Sequence, residues 1–251
     1  MPVITPINED ELEFDNGIFD AQAFAAQTLS GWQNLASIID HTLLKPDATR
    51  PQVEKLCEEA VRYRFACAMV NPLWVSTAVS MLNGTGIPVG VVVGFPLGAS
   101  LVSTMSTEAI ALARLGAREL DMVLPIGQLK SGNHQAVGIA IHAVAQIAHQ
   151  HGCLLKVILE TCLLTMEEKL RAAEIAIQAG ADFLKTSTGF STSGATPADI
   201  ALLRGVAGAR AGVKASGGIR TLADVRALVE AGANRIGASA SVAIVRELGA
   251  E

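Results

Sequence analysis

The chain of 251 residues is 50 % hydrophobic, which is enough to bury a substantial core in one large domain or two small ones. Its formal net charge of −5 excludes a general attraction to nucleic acid or to an anionic membrane, so an anionic substrate needs local donors. We find no signal-peptide pattern and no apolar run near the roughly 18 residues of a membrane span. The four cysteines lack a C-x-x-C spacing, which favours reduced thiols and a cytoplasmic protein.

The first 35 residues differ from the rest of the chain. Acidic side chains are frequent from Glu9 to Asp20, and a short amphipathic segment follows around Phe24 to Leu35. We therefore predict an acidic, partly disordered extension with a capping helix over residues 1–35, and a catalytic domain over residues 36–251. We expect no chemistry in the extension.

From residue 37 onward, short β-rich apolar runs alternate with segments of helical periodicity. The predicted strands are Ser37–Leu43, Cys67–Asn71, Pro88–Gly94, Glu119–Leu124, Leu154–Glu160, Phe183–Thr186, Gly212–Ser216 and Arg235–Ala238. The predicted helices are Pro51–Tyr63, Trp74–Leu82, Thr104–Leu115, His134–His149, Met166–Ala179, Pro197–Ala207, Leu222–Glu230 and Ala240–Leu248. Eight such units predict an α/β protein with the (β/α)8 TIM-barrel fold. A doubly wound open sheet is the alternative, but no glycine-rich phosphate loop follows the first strand.

Charged residues recur near the carboxyl ends of predicted strands, which is where barrels of this kind carry their active sites. They are Asp40, Asp121, Glu160, Lys185 and Lys214, with Lys156 earlier in the fifth strand. A solvated strand end would explain one isolated lysine. Charges on several neighbouring strands are costly to bury unless they are paired or used, so we expect a functional cluster. Alternation along a strand does not by itself reveal which face points inward.

Lysines on two successive strands, Lys185 and Lys214, suggest an amine nucleophile beside a second cation. An amine attacks a carbonyl only when it is unprotonated, whereas an ordinary lysine has a pKa of about 10.4. A second ammonium roughly 5 Å away lowers that pKa by about two units, and burial lowers it further. We expect Asp121 to balance the pair and to pass protons through a water molecule. The histidines and cysteines show no metal-binding pattern, so we predict a mechanism without metal or cofactor.

Glycines follow the last predicted strands in a pattern that suggests phosphate binding. Gly217 and Gly218 come after the seventh strand, Ser239 follows the eighth, and Gly189 follows the sixth. In many (β/α)8 barrels the loops after strands seven and eight bind a phosphate through backbone N–H groups. The alternative is that these glycines only form tight turns.

Six motifs, taken together, resemble the 2-deoxyribose-5-phosphate aldolase family. They are Ile39–Pro46, Gly94–Gly98, Glu119–Val123, Leu155–Thr161, Phe183–Phe190 and Val213–Thr221. The resemblance extends over about residues 35–245 and implies a class I aldolase on a (β/α)8 barrel. Such an enzyme reversibly cleaves 2-deoxy-D-ribose 5-phosphate to D-glyceraldehyde 3-phosphate and acetaldehyde, which implies these small molecules as partners.

The resemblance also implies roles for individual residues. It assigns the Schiff base to Lys185 and the proton-relay roles to Asp121 and Lys214. Substrate or phosphate contacts are expected at Thr42, Gly189, Gly217, Gly218 and Ser239. A homodimer is expected from the family alone. The alternatives are a Schiff-base aldolase with another donor or a longer sugar phosphate, a sugar-phosphate-binding protein without catalysis, and an isomerase.

Overall fold

The apolar runs of the sequence form a closed barrel of parallel strands in the computed structural model, which describes residues 19–251. Each strand pairs with its neighbours in the chain, and the eighth pairs with the first. The strands are β1 (Ile39–Leu43), β2 (Cys67–Val70), β3 (Val89–Val93), β4 (Glu119–Val123), β5 (Leu154–Ile158), β6 (Phe183–Lys185), β7 (Gly212–Ser216) and β8 (Arg235–Ala238). The predicted (β/α)8 barrel is therefore confirmed.

The helices surround the barrel, and the eight that the periodicity predicts are present with ends within two residues of the predicted ones. The helices are α1 (Ala21–Thr28), α2 (Trp32–Ala36), α3 (Arg50–Tyr63), α4 (Val75–Leu82), α5 (Val102–Arg114), α6 (Ile126–Lys130), α7 (His134–Gln150), α8 (Met166–Gln178), α9 (Pro197–Ala207), α10 (Leu222–Glu230) and α11 (Ser241–Glu247). Reciprocal side-chain caps define where α3, α8 and α10 begin. None of the helices within residues 19–251 is long and apolar enough to cross a membrane.

The segment before the barrel differs from the single capping helix predicted around Phe24 to Leu35. It forms two helices, because Gly31 adopts an extended backbone between α1 and α2. Helix α1 packs against α10, and α2 packs against α11. The predicted boundary at residue 35 falls inside α2, and most of the acidic stretch that begins at Glu9 lies outside the described residues. The division into an extension and a catalytic domain therefore stays a prediction.

The two faces of the strands bury different kinds of side chain. Outward-facing residues pack beneath the helices in the main hydrophobic core. Inside the barrel, β2 and β3 contribute a small apolar cluster that includes Met69 and Val92. The interior on the side of β4 to β8 is charged instead. A Cβ atom would meet Met69 at Gly90, the Phe183 ring at Gly212 and Lys214 at Gly237, so these glycines make room for large interior side chains.

Arg204 on α9 joins the turns that precede β7 and β8. Its side chain is 9 % exposed and donates to neutral oxygen atoms rather than to a carboxylate. The acceptors are the backbone carbonyls of Gly232 (2.9 Å), Gly208 (2.8 Å) and Ala211 (3.0 Å) and Oδ1 of Asn234 (2.9 Å). The Phe19 ring lies over the guanidinium at 3.9 Å. One side chain thus connects two turns and the start of the described chain.

Replacing Arg204 with methionine is expected to lower the free energy of unfolding by about 3 kcal/mol, because buried carbonyls lose their donor. For a domain of this size that corresponds to a fall in the thermal midpoint of roughly 6–12 °C. Arg226→Met on α10 is the control, since Arg226 is exposed and its pair with Glu230 spans 3.8 Å. Equal midpoints for the two variants in calorimetry would contradict this role of Arg204.

Candidate active site

Seven charged side chains occupy the inside of the barrel within residues 19–251. They are Asp40 on β1, Glu119 and Asp121 on β4, Lys156 on β5, Lys185 on β6, Lys214 on β7 and Arg235 on β8. The strand register places Asp121 beside Lys156, and Lys185 beside Lys214. All are largely removed from solvent; Arg235, with 14 % of its side chain exposed, is the most accessible. The predicted catalytic residues Lys185, Asp121 and Lys214 are brought together in this group.

Six of the seven form a closed circuit of alternating charge, which we call the charge ring: Asp40, Glu119, Asp121, Lys156, Lys214 and Arg235. Around it, the contacts are Asp121–Lys214 (2.7 Å), Lys214–Asp40 (2.5 Å), Asp40–Arg235 (2.6 Å), Arg235–Glu119 (2.7 Å), Glu119–Lys156 (2.5 Å) and Lys156–Asp121 (2.8 Å). Its three carboxylates balance its three cations. Buried charges are tolerated when they are paired in this way.

Lys185 is the seventh charge and stands outside the charge ring. Among the residues that the structure describes, its ammonium donates to one side chain, Oδ2 of Asp121, at 2.8 Å. Lys214 donates to the same oxygen at 2.7 Å. Burial lowers the pKa of Lys185 to about 8; Asp121 opposes this shift, and the nearby Lys214 and Lys156 add to it. Lys185 therefore has no carboxylate of its own and loses its proton more readily than an ordinary lysine.

Several members of the charge ring are held in their charged forms. Burial alone would raise the pKa of Asp121, but the attraction of Lys156, Lys185 and Lys214 outweighs it and holds the pKa well below its usual value. Burial would lower the pKa of Lys156, yet the surrounding carboxylates raise it well above its usual value. Asp121 therefore stays an anion and Lys156 a cation over the pH range in which Lys185 loses its proton.

The predicted phosphate-binding glycines lie where the loops after β6 and β7 meet. The N–H of Ala195 donates to the carbonyl of Gly217 at 3.1 Å. A Cβ atom at Gly194 would overlap that same carbonyl, and one at Gly217 would lie 3.4 Å from the Cα of Gly189. Gly217 and Gly218 both have positive φ angles, +85° and +77°, which glycine adopts without strain. Their predicted phosphate role stays a prediction.

The remaining predicted contacts, Thr42 and Ser239, lie at other strand ends. Thr42 is half-buried on β1, two residues beyond Asp40, and its hydroxyl donates to the carbonyl of Asp40 at 2.8 Å. Ser239 directly follows β8 and is exposed. Both residues thus lie at the carboxyl end of the barrel. The Thr42 hydroxyl already donates a hydrogen bond to the backbone of its own strand.

Glu160, unlike the other strand-end charges, is hydrogen-bonded to Thr188 and to no interior lysine within the described residues. It lies just beyond β5, is 2 % exposed and has a left-handed backbone with φ +57°. Its carboxylate accepts hydrogen bonds from the backbone N–H of Thr188, at 3.3 Å, and from the Thr188 hydroxyl. Glu160 therefore supports the loop that carries Gly189 rather than the amine.

Asp40, Glu119 and Cys67 are the one group within the described residues that offers three metal-ligating atoms close together. Both carboxylates already contact cations of the protein, since Arg235 contacts each of them and Lys156 contacts Glu119 at 2.5 Å. Burial, followed by the two carboxylates, raises the pKa of the Cys67 thiol well above its usual value. Lys156 and Arg235 thus supply the positive charge at this position.

Four members of the charge ring were not predicted as catalytic or binding residues: Asp40, Glu119, Lys156 and Arg235. Asp40 and Lys156 belonged to the predicted cluster of charged residues but were given no role, whereas Glu119 and Arg235 were not part of that cluster. Lys156 carried a clear signal, because it is a charged residue in an otherwise apolar strand, whereas Asp40 stands beside His41 and Thr42 in a more polar one. Arg235 carried little signal, because it stands at the first position of a strand, where a solvated charge is ordinary. Its inward position follows from closure of β8 onto β1.

The fold and this arrangement define a class of protein. A buried lysine with a lowered pKa, at the carboxyl end of a (β/α)8 strand and beside a second ammonium, is suited to attack a carbonyl carbon. The family model described as DeoC/LacD family aldolase matches residues 35–247. The chain belongs to this aldolase family.

Individual relatives agree with this assignment. The chain is 53 % identical over 212 residues to the deoxyribose-phosphate aldolase of Geobacillus sp. (strain WCH70), covering 84 % of this chain and 95 % of that protein. It is 54 % identical to the deoxyribose-phosphate aldolase of Caldanaerobacter subterraneus subsp. tengcongensis, covering 85 % and 93 %. The solved tetrameric deoxyribose phosphate aldolase of Aeropyrum pernix superposes with a TM-score of 0.84 at 35 % identity, covering 91 % and 96 %.

Proposed function

We propose that the chain is a deoxyribose-phosphate aldolase in which Lys185 forms the Schiff base. The enzyme reversibly cleaves 2-deoxy-D-ribose 5-phosphate to D-glyceraldehyde 3-phosphate and acetaldehyde. The names of relatives that are more than half identical support the reaction. The single observation that carries the assignment of Lys185 is its position outside the balanced charge ring, with one shared carboxylate oxygen as its partner.

The chemistry follows from a neutral amine next to a carboxylate and an ammonium. The Lys185 amine attacks C1 of the open-chain sugar, and loss of water from the carbinolamine gives an iminium. The iminium accepts the electron pair of the C2–C3 bond as this bond breaks and the C3 hydroxyl loses its proton. Glyceraldehyde 3-phosphate leaves with C3 to C5, and the enamine takes a proton at C2. Hydrolysis then releases acetaldehyde and restores the amine.

Asp121 and Lys214 are proposed to move protons in these steps. Both contact each other at 2.7 Å, and Asp121 also accepts from Lys185 at 2.8 Å. A water molecule between them and the substrate would pass the proton lost from the C3 hydroxyl to C2 of the enamine. Lys214 additionally opposes protonation of Lys185, so its charge favours the reactive form.

The phosphate is proposed to bind at the loops after β6, β7 and β8, through Gly189, Gly217, Gly218 and Ser239. The close approach of two glycine-containing loops supports this site, because glycines leave backbone N–H groups accessible to an anion. Thr42, at the carboxyl end of β1, is proposed as a further substrate contact. Binding at the phosphate end would orient C1 toward Lys185.

Replacing Ser239 with alanine is expected to raise the KM for 2-deoxyribose 5-phosphate roughly tenfold, since a hydrogen bond to a charged group is lost. The kcat/KM for unphosphorylated 2-deoxyribose should change little, because that substrate has no phosphate to bind. Ser100→Ala is the matched control, since Ser100 is also an exposed loop serine but follows β3. Equal losses on both substrates would argue against a phosphate contact at Ser239.

The function itself is tested by incubating the protein with 2-deoxyribose 5-phosphate and measuring both products. Release of glyceraldehyde 3-phosphate and acetaldehyde in equal amounts is the expected result. Another aldehyde in place of acetaldehyde would favour an aldolase with a different donor. Binding of the sugar phosphate without any product would favour the non-catalytic alternative.

We also propose that the protein is a cytoplasmic homodimer that binds no nucleic acid. Three leucines in the loops after β2 and β3 support an interface between copies: Leu73 is 81 % exposed, Leu97 72 % and Leu101 74 %. The free, buried thiols of Cys57, Cys67 and Cys153 support a reducing compartment. Sedimentation equilibrium of the purified protein measures its mass in solution, and a monomer at micromolar concentration would contradict the dimer.

A further inference from the structure

We propose that Glu119 and Arg235, at the amino-terminal end of the barrel interior, control the protonation of Lys185 through the charge ring. This inference rests on the proposed role of Lys185 as the nucleophile. Glu119 and Arg235 stand at the first positions of β4 and β8. They are positioning residues, because they act on the reacting amine through other side chains and not through contact with the substrate.

Two routes of short contacts lead from this pair to Lys185. Along one, Glu119 contacts Lys156 at 2.5 Å, and Lys156 contacts Asp121 at 2.8 Å. Along the other, Arg235 contacts Asp40 at 2.6 Å, and Asp40 contacts Lys214 at 2.5 Å. Lys214 in turn contacts Asp121 at 2.7 Å, so both routes end at Asp121, which is the carboxylate that Lys185 uses. A change of charge on Glu119 or Arg235 therefore changes how strongly Lys156 and Lys214 attract the Asp121 carboxylate that they share with Lys185.

The charged groups nearest to Lys185 come from several strands of the barrel. Asp121, Lys156 and Lys214 surround it from β4, β5 and β7. Asp40 on β1 and Arg235 on β8 lie one contact further away. The thiol of Cys67 on β2 is uncharged, because burial and two carboxylates raise its pKa. The inward face of β3 holds Gly90 and the apolar Val92.

The charge balance of the ring predicts effects of opposite sign. Glu119→Gln leaves the ring with one excess positive charge, which disfavours the ammonium form of Lys185. Arg235→Met leaves one excess negative charge, which favours the ammonium. Changing both residues together restores a neutral ring. A unit charge about 10 Å away, at an effective dielectric constant near 20, moves a titration midpoint by about one pH unit.

The test is the pH dependence of kcat/KM for cleavage of 2-deoxyribose 5-phosphate by the full chain, because this parameter reports the free enzyme. In the unaltered protein, activity should rise with pH around a midpoint near 8, as Lys185 loses its proton. The midpoint is expected about one unit lower in Glu119→Gln and about one unit higher in Arg235→Met. In the double variant it should return to within a few tenths of the original value.

A role of the pair in packing alone would lower activity in both single variants without moving their midpoints in opposite directions. The matched control is the exposed pair on α10, Glu230→Gln and Arg226→Met, which should leave the midpoint unchanged. Midpoints that do not move, or that move in the same direction, would overturn the inference. If Arg235→Met does not fold, the downward shift in Glu119→Gln decides the question.

Failure of this inference is distinguishable from failure of the proposed function. Reductive trapping of acetaldehyde on Lys185 of the unaltered protein tests the nucleophile by itself. A trapped Lys185 with unmoved midpoints in the variants would remove the remote control and leave the function standing. If active, folded protein gives no trapped Lys185, both the remote control and the assignment of the Schiff base to Lys185 are wrong.

Discussion

Replacing Lys185 with methionine is expected to lower kcat/KM for 2-deoxyribose 5-phosphate by about 10⁴-fold or more, because no iminium can form. The same variant should be at least as stable as the original protein. Among the interior charges of residues 19–251, Lys185 is the one that the ring does not balance, and an unbalanced buried cation costs free energy. A large loss of activity without a loss of stability would show that Lys185 serves catalysis and not folding.

The measurements are steady-state kinetics and thermal unfolding of the purified variant. Lys55→Met is the control, since the Lys55 side chain on α3 is 72 % exposed, and activity and stability should both stay near the original values. Residual activity of Lys185→Met above about a hundredth of the original would contradict a covalent role. A thermal midpoint well below the original would contradict the charge-balance account.

Replacing Asp121 with asparagine should have the opposite profile, with large losses of both stability and activity. Asp121 is fully buried and contacts Lys156, Lys185 and Lys214. Its loss leaves buried ammonium groups around a neutral amide, which should lower the free energy of unfolding by about 3–5 kcal/mol. Loss of the proton relay should lower kcat by about 10²- to 10⁴-fold.

Calorimetry should show a fall in the thermal midpoint of about 10 °C for Asp121→Asn. Glu167→Gln on α8 is the matched control, because it makes the same carboxylate-to-amide change at an exposed position. The stability loss should also diminish as the pH is raised toward 8, since Lys185 in this variant lacks the carboxylate that raises its pKa and so loses its proton at a lower pH than in the original protein. Asp121→Asn with the stability of Glu167→Gln would show that the carboxylate is not needed to hold the lysines.

The fold was predictable from the sequence because alternation of short apolar runs and helical segments is a local property. Strand ends were less predictable. The run Leu154–Glu160 was predicted as one strand, but β5 ends at Ile158 and Glu160 takes a left-handed backbone to reach Thr188. That ending depends on a partner 28 residues away, which no local pattern contains. The short helix α6 was missed because five residues carry too little periodicity.

The proximity of Lys185, Asp121 and Lys214 was predictable in part, because charged residues at strand ends of a barrel are informative. The charge ring was not. Asp40 and Arg235 are 195 positions apart in the chain, and only closure of β8 onto β1 brings them to 2.6 Å. Strand parity shows which residues share a face, but burial and register are needed to show which face is inside.

The number of charges, more than any single contact, distinguishes Lys185 from the other two interior lysines of residues 19–251. Lys156 contacts both Glu119 and Asp121, and Lys214 contacts both Asp40 and Asp121. Lys185 contacts one carboxylate oxygen that Lys214 also uses. We therefore expect Lys185, and not Lys156 or Lys214, to be the amine that attacks the carbonyl carbon.

Borohydride reduction in the presence of acetaldehyde, followed by mass mapping of peptides, identifies the lysine that forms the Schiff base. We expect a reduced ethyl adduct on the peptide that contains Lys185, and none on the peptides that contain Lys156 or Lys214. The adduct should disappear in Lys185→Met. An adduct on Lys214 or Lys156 in the unaltered protein, or no adduct at all in active, folded protein, would contradict the account.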